Sequence, residues 1–211
     1  MEKILLHSCC APCSGAILEW MMANGYEPTV YYYNPNIFPE KEYLIRKNEI
    51  TEYAKKLGVP IIDGDWNHDF WREKVKGLED EPERGARCLQ CFRVRLYQTA
   101  KIASGFSRFT TTLASSRWKR LDQVAEAGNW AASQFPGVEY WDRNWRKGGL
   151  QDRRGALIRE NHFYNQLYCG CEFSMRGLAE RMARQSEQAK KDEEAAREKI
   201  DAALQSISKS A

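Results

Sequence analysis

Seven cysteines fall into three tight groups along 211 residues. Cys9, Cys10 and Cys13 lie in Ser-Cys-Cys-Ala-Pro-Cys, Cys88 and Cys91 in Cys-Leu-Gln-Cys, and Cys169 and Cys171 in Cys-Gly-Cys. No cysteine stands outside a group. Thiolates gathered from remote segments point to a soft-metal site, iron–sulfur foremost, with redox work to do.

Each group has its own chemistry. Cys10 and Cys13 form a C-x-x-C on an expected strand-to-helix turn, where helix N–H groups favour thiolate. A thioredoxin-type motif has that placement, but the adjacent Cys9 and two further groups need their own explanation. Cys88 and Cys91 have zinc-ligand spacing, and with the first group they complete either an all-thiolate zinc site or an iron–sulfur cluster. Spacing does not separate those two, although seven thiols exceed the four that one structural zinc takes. A disulfide across Cys169 and Cys171 is strained, and strained disulfides are the labile and catalytic ones. That pair therefore reads as a redox-active dithiol or as ligands of a second metal. Four thiols for one cluster leave three beside it. His7 and Asp63 are nearby candidates for a proton donor and a metal or proton ligand, each with an ordinary structural role as the alternative.

A mostly parallel, doubly wound α/β sheet is expected to position these groups. Lys3–His7, Pro28–Tyr33, the segment from Val59 to Ile62, Phe109–Leu113 and Val138–Trp141 read as strands. Ser14–Asn24, Pro39–Leu57, Asn67–Lys76, Cys88–Ala103 and Leu121–Ser133 read as helices. Ligands in such sheets bind beyond the carboxyl ends of the strands, where the first cysteine group, Asn34, Asp63 and Ser115 fall. Residues 1–175 are expected to form the catalytic domain with every cysteine. Residues 176–211, rich in Ala, Glu, Lys, Arg and Gln, are expected to form a solvated helical extension that frays toward Ala211.

The net charge of +3 neither demands nor forbids a nucleic-acid partner. Local basic stretches carry that case. Arg117, Lys119, Arg143, Arg146 and Arg153 interleave with Trp118, Trp141 and Trp145, a mixture that grips phosphates and stacks on splayed bases. No apolar run approaches a membrane span, and residues 1–6 are too short for a signal-peptide core. A cytoplasmic protein without a membrane partner is expected, in a compartment where structural disulfides are rare.

Taken together, the motifs resemble the cobalamin-independent epoxyqueuosine reductases of the QueH type. The resemblance runs through His7-Ser8-Cys9-Cys10-Ala11-Pro12-Cys13, through Tyr33-Asn34-Pro35-Asn36-Ile37 with Glu42, Tyr43 and Arg46, and through Arg87-Cys88 to Cys91-Phe92-Arg93. It continues in Thr111-Thr112-Leu113 with Ser115 and Lys119, in Tyr164-Asn165-Gln166, and in Tyr168-Cys169-Gly170-Cys171. It implies a fold similar to the adenine-nucleotide alpha-hydrolase-like (HUP) fold. It also implies reduction of the epoxide of epoxyqueuosine to queuosine at the wobble position of tRNA, the last step of queuosine biosynthesis. A [4Fe–4S] cluster on Cys9, Cys10, Cys88 and Cys91 and a redox-active pair at Cys169 and Cys171 follow from it. An additional mononuclear iron, with Cys13 and Asp63 as candidate ligands, follows as well. The partners implied are tRNA bearing epoxyqueuosine and an electron donor of unstated identity.

Two rival readings have other signatures. An iron–sulfur-dependent tRNA sulfur-transfer enzyme grips ATP with a Ser-Gly-Gly-x-Asp-Ser loop, and Cys-Cys-Ala-Pro-Cys occupies that slot here. A non-enzymatic, zinc-stapled RNA-binding module is colourless, whereas an iron–sulfur protein is brown.

Overall fold

Ile4, Leu5 and Leu6 form an unbroken apolar run with no solvent exposure, as a strand covered on both faces requires. They belong to β1 (Glu2–Ser8). In this computed structural model, which describes the backbone of residues 1–208 and the side chains of residues 1–197, β1 is the centre of a parallel sheet. It pairs on one side with β2 (Tyr26–Tyr32), which pairs in turn with β3 (Ile61–Asp63). On its other side lies β4 (Arg108–Thr111), giving the order β3-β2-β1-β4.

Two sets of helices cover the sheet. α1 (Ala11–Ala23) packs against α2 (Glu40–Leu57) and α6 (Leu150–Glu160). α4 (Ala86–Ile102) packs against α3 (His68–Lys74) and α5 (Leu121–Ser133). Right-handed crossovers put the two sets on opposite faces, because the chain moves outward from β1 to β3 and then returns past it to β4. The expected doubly wound α/β architecture is the observed one. Strand order reverses between β1 and β4, so the crevice beyond their carboxyl ends is where such a fold binds.

Three local expectations change. Val138–Trp141 is not a strand of the sheet; only Tyr140 bridges to Phe109, through Phe109 N–H to the Glu139 carbonyl and Trp141 N–H to the Phe109 carbonyl. The Thr110 hydroxyl donates to the Trp141 carbonyl at 3.0 Å, and the pairing ends there. The first helix starts at Ala11 rather than Ser14, because Pro12 suits a first turn, and this brings Cys13 into the helix. α6 is an additional helix. Its sequence hides it, since Gly155 interrupts the run and only Leu150 and Leu157 are buried.

From Phe173 onward the chain forms a second compact unit. It holds all but the first residue of α7 (Glu172–Ser208), whose exposed face carries the i,i+4 pairs Glu187–Lys191 and Glu193–Arg197. Such pairs contribute about 0.3–0.5 kcal/mol each. The expected fraying toward Ala211 lies outside the described residues. The boundary proposed after residue 175 falls just beyond the division at Glu172 and Phe173.

His7 locks the strand ends together. Its ring is fully buried in β1. Nε2–H donates to the Tyr33 carbonyl at 3.1 Å, so Nδ1 accepts from the Thr111 hydroxyl at 2.7 Å. Both nitrogens are thus engaged in structure. Burial, then the positive charge of Arg95, lowers its pKa to about 3. Between pH 6.5 and 3 the unfolded chain binds a proton here that the native chain refuses, so stability falls as pH drops through that window. The loss should reach on the order of 4 kcal/mol at the acid end. Urea unfolding of wild type and His7→Gln across that range checks it. The variant should show a shallower acid slope, and an identical slope would refute the assignment.

Candidate metal and redox site

The site begins where β1 ends. Cys9 follows the strand, and its N–H donates to the Thr112 hydroxyl at 3.1 Å, across the reversal point from β4. That hydroxyl donates in turn to Cys9 Sγ at 3.3 Å. Cys10 is the N-cap of α1 in an extended conformation and offers the first turn no side-chain cap. Ser14 anchors the turn by donating to the Cys10 carbonyl at 2.8 Å, and its hydroxyl also pairs with that of Ser8. Cys13 lies in the first helical turn. The sulfurs of Cys9, Cys10 and Cys13 consequently lie within 4.8 Å of one another, a group able to hold a metal ion.

These thiols shift one another's proton affinity in opposite directions. Hydrogen bonds from Cys10 and then Cys13 hold the Cys9 thiol well below its usual range, against burial and with help from Lys119 and Arg95. Burial, with its hydrogen-bonded neighbours, pushes Cys10 well up. Cys13 receives help from Cys10, but its bond to Cys9 and burial outweigh it, and its pKa rises to about 11. Gln166 donates to Cys10 Sγ at 3.0 Å, while its buried Oε1 has no hydrogen-bond partner. Buried soft donors beside an orphaned polar atom fit a bound thiophilic metal.

Cys88 and Cys91 sit in the first two turns of α4, one turn apart. Burial raises each to about 11. The N–H of Arg84 donates to Cys88 Sγ at 3.2 Å. Among the described residues, neither belongs to the close-packed group of three. Both feel the charge of Cys169, and Cys91 feels Cys171 as well. None of the seven cysteines is joined in a disulfide.

The Cys-Gly-Cys segment is held by its backbone. Buried Arg46, paired with Glu42, donates to the carbonyls of Cys169 at 3.2 Å and Tyr168 at 3.3 Å. The Phe38 N–H donates to the Gly170 carbonyl at 2.8 Å, and the Tyr168 hydroxyl to the Phe38 carbonyl at 2.7 Å. Gly170 adopts φ 117°, and a Cβ there would meet Arg46 at 3.0 Å and Ile37 at 3.1 Å, so no larger residue fits. Glu172 closes the segment through Arg72 and His68. Cys169 is exposed and Cys171 half-buried.

Lys119 joins the clusters. Its ammonium donates to Cys169 Sγ at 3.2 Å. Burial alone would depress it, but the charges of Cys169 and then Cys9 lift it above the usual lysine range. The sequence reading placed this lysine among residues facing RNA. Three other members of that set have structural partners. Arg143 lies 3.8 Å over the ring of Trp20, with Trp145 and Trp141 beside it. Arg146 donates to the carbonyls of Ser116 and Lys119. Arg153 bridges Glu19 and Glu160. Only Arg117, stacked on the 67 % exposed Trp118, projects freely from the set. Asp63 ends the edge strand β3, ion-paired with Lys47. Two strand spacings, roughly 10 Å, separate β3 from β1, so its carboxylate is outside the thiol group.

Arg95 has no part in the sequence reading of the site. It is 2 % exposed on α4, donates to Asn34 Oδ1 at 2.5 Å, and places its charge near Cys9 and Cys91. Asn34 also donates to the Ser8 carbonyl at 2.8 Å. The available signal was Arg95 at helical spacing from Cys88 and Cys91.

Known proteins match this chain in sequence and in fold. The family described as Epoxyqueuosine reductase QueH matches residues 4–177. The chain is 50 % identical over 177 residues to Epoxyqueuosine reductase QueH of Histophilus somni, covering 83 % of this chain and 73 % of that protein. The protein of the same description from Haemophilus influenzae is also 50 % identical, covering 83 % and 72 %. That from Thermotoga maritima is 32 % identical, covering 90 % of this chain and 98 % of its own length. Among solved structures, one described as the predicted subunit of a tRNA methyltransferase from Methanocaldococcus jannaschii aligns with TM-score 0.52 and 13 % identity, covering 74 % of this chain and 75 % of that one. This last likeness concerns the fold alone. With the family matched over residues 4–177 and relatives at 50 % identity over most of its length, the chain belongs to the epoxyqueuosine reductase QueH family.

Proposed function

We infer that this protein is an oxidoreductase that reduces epoxyqueuosine to queuosine at the wobble position of tRNA. The single observation that carries the reading, beside family membership, is the packed thiol group of Cys9, Cys10 and Cys13 at the strand-order reversal. Opening the epoxide to an alkene takes two electrons and two protons and releases water. Cys9, Cys10, Cys88 and Cys91 would hold a [4Fe–4S] cluster, and Cys13 would serve an additional iron. Such a cluster passes electrons one at a time. Asp63 is left out of this set because Lys47 neutralises it at the sheet edge.

The remaining work belongs to the chain. Cys169 and Cys171 act as the dithiol that gathers an electron pair, their backbone fixed by Arg46 and their outer sulfur exposed. Arg117 and Trp118 contact the anticodon loop, the first through phosphate and the second by stacking on a splayed base. No helix among the described residues is long and apolar enough to cross a membrane, and a cytoplasmic location suits a tRNA substrate.

Three measurements check this reading. Anaerobic turnover of epoxyqueuosine-containing tRNA with a chemical reductant, read by nucleoside mass spectrometry, should give queuosine. Cys88→Ala should abolish product and brown colour together, whereas Cys169→Ser should keep the colour and stop turnover. Normal turnover by Cys169→Ser would remove the dithiol role. Second, Cys13, Cys88 and Cys91 hold their protons up to about 11, so metal entry must displace them. Apparent affinity of the apoprotein for Co2+ should therefore rise about tenfold per pH unit for each thiol displaced. Affinity that stays flat from pH 6 to 9 would contradict thiol ligation. Third, Trp118→Ala should weaken tRNA binding by about 1–3 kcal/mol, seen as a higher Kd at unchanged saturating rate. An unaltered Kd would place RNA elsewhere.

A further inference from the structure

Lys119 is the one ammonium found directly on a cysteine of the site among the described residues. Its loop is built to deliver it. Arg146 clamps the carbonyls of Ser116 and Lys119, Arg84 donates to the Trp118 carbonyl at 2.8 Å, and the Lys119 N–H donates to the Ser116 carbonyl at 3.2 Å. Arg84 reaches the second cysteine group as well, through its own N–H to Cys88. A flexible side chain on a clamped backbone thus spans from Cys169 toward Cys9.

The reaction needs a proton donor for the departing oxygen, and the other polar groups at the site are committed. Both His7 nitrogens are engaged in a fully buried setting. The Tyr168 hydroxyl donates to the Phe38 carbonyl, and that of Tyr164 to Glu42. The Thr112 hydroxyl donates to Cys9. Arg95 is held by Asn34, and a guanidinium does not give up its proton.

We propose that Lys119 is a catalytic residue, the ammonium that protonates the epoxide oxygen as it leaves, and not a tRNA phosphate contact. The step balances within the site. Two C–O bonds break, a C=C bond forms, and the oxygen leaves as water. The two electrons come from Cys169 and Cys171 as their S–S bond forms. Lys119 gives one proton to the oxygen and the Cys171 thiol gives the second, while the Cys169 sulfur, paired with the ammonium and carrying no proton, closes the S–S bond and leaves a neutral lysine. The inference rests on the reading of Cys169 and Cys171 as the reacting dithiol.

The test is single turnover by reduced, anaerobically purified holoenzyme on epoxyqueuosine-containing tRNA, beside tRNA affinity over a salt series. Lys119→Arg keeps the charge but cannot yield a proton. It and Lys119→Gln should lose at least about 100-fold in saturating rate, the range of a missing acid catalyst, with Kd unchanged. Ethylamine should restore turnover to Lys119→Ala. A fully active Lys119→Arg, or a loss confined to Kd with a weaker salt dependence, would overturn the proposal in favour of a phosphate contact. So would a folded Lys119→Ala that amine does not revive. Cys169→Ser separates the two readings. If it reduces substrate normally, the dithiol reading falls and takes the relay with it. If it is inert while Lys119→Arg is fully active, only the lysine inference falls.

Discussion

Burial disfavours charge on sulfur, and the packed group at the end of β1 holds one of its three cysteines, Cys9, against that trend. Burial pushes Cys10, Cys88 and Cys91 up and contributes to the rise at Cys13, while Cys9 goes the other way. What permits the exception is local: hydrogen bonds from its two neighbours, then the charges of Lys119 and Arg95. Arg95 holds its place through Asn34, and Asn34 also ties down the Ser8 carbonyl. One chain of contacts therefore joins α4, the loop after β2 and the end of β1. A buried guanidinium has value only where a partner charge exists, so Arg95 and the thiol group explain each other.

The Cys-Gly-Cys segment solves the opposite problem. The Cys169 sulfur is exposed while the backbone that carries it is fixed. Arg46 does this from inside the fold, neutralised by Glu42 and satisfied by two carbonyls. Its stack on Tyr168, 5.4 Å from the ring centre, fills the remaining face. The buried pair thereby orders a surface turn, and positional specificity is the best use of a buried ion pair. Gly170 is required because the arginine occupies the space where a Cβ would point.

Cysteine grouping was fully legible in the sequence because its signal is local spacing. So were four of the five expected strands, since Ile4-Leu5-Leu6 and the strand–helix alternation follow burial and periodicity. α6 was not, because a helix with two buried residues has almost no periodic signature. The supposed strand at Val138–Trp141 has strand composition but finds a partner only at Phe109, and pairing is a tertiary property that composition does not encode. The basic residues were the least legible. Arginine on a sequence reads as solvated charge, yet Arg143 stacks over tryptophan, Arg146 clamps a loop and Arg153 bridges two glutamates. Those roles depend on partners up to 134 residues away, as for Arg153 and Glu19.

This redistribution changes how substrate recognition should be understood. A wide phosphate-binding surface is not needed to present one wobble base; a stacking platform beside the chemistry suffices. The loop after β4 sets an exposed indole and the sulfur-bound lysine on consecutive residues. Trp118 faces solvent, while Lys119 reaches Cys169. Arg84 and Arg146 grip the carbonyls of those same two residues, so neither can shift without the other. A base stacked on Trp118 is then held at a fixed offset from the lysine and the exposed sulfur. On the proposed reading, docking and proton delivery would be coupled through a single peptide unit, the one that two arginines hold.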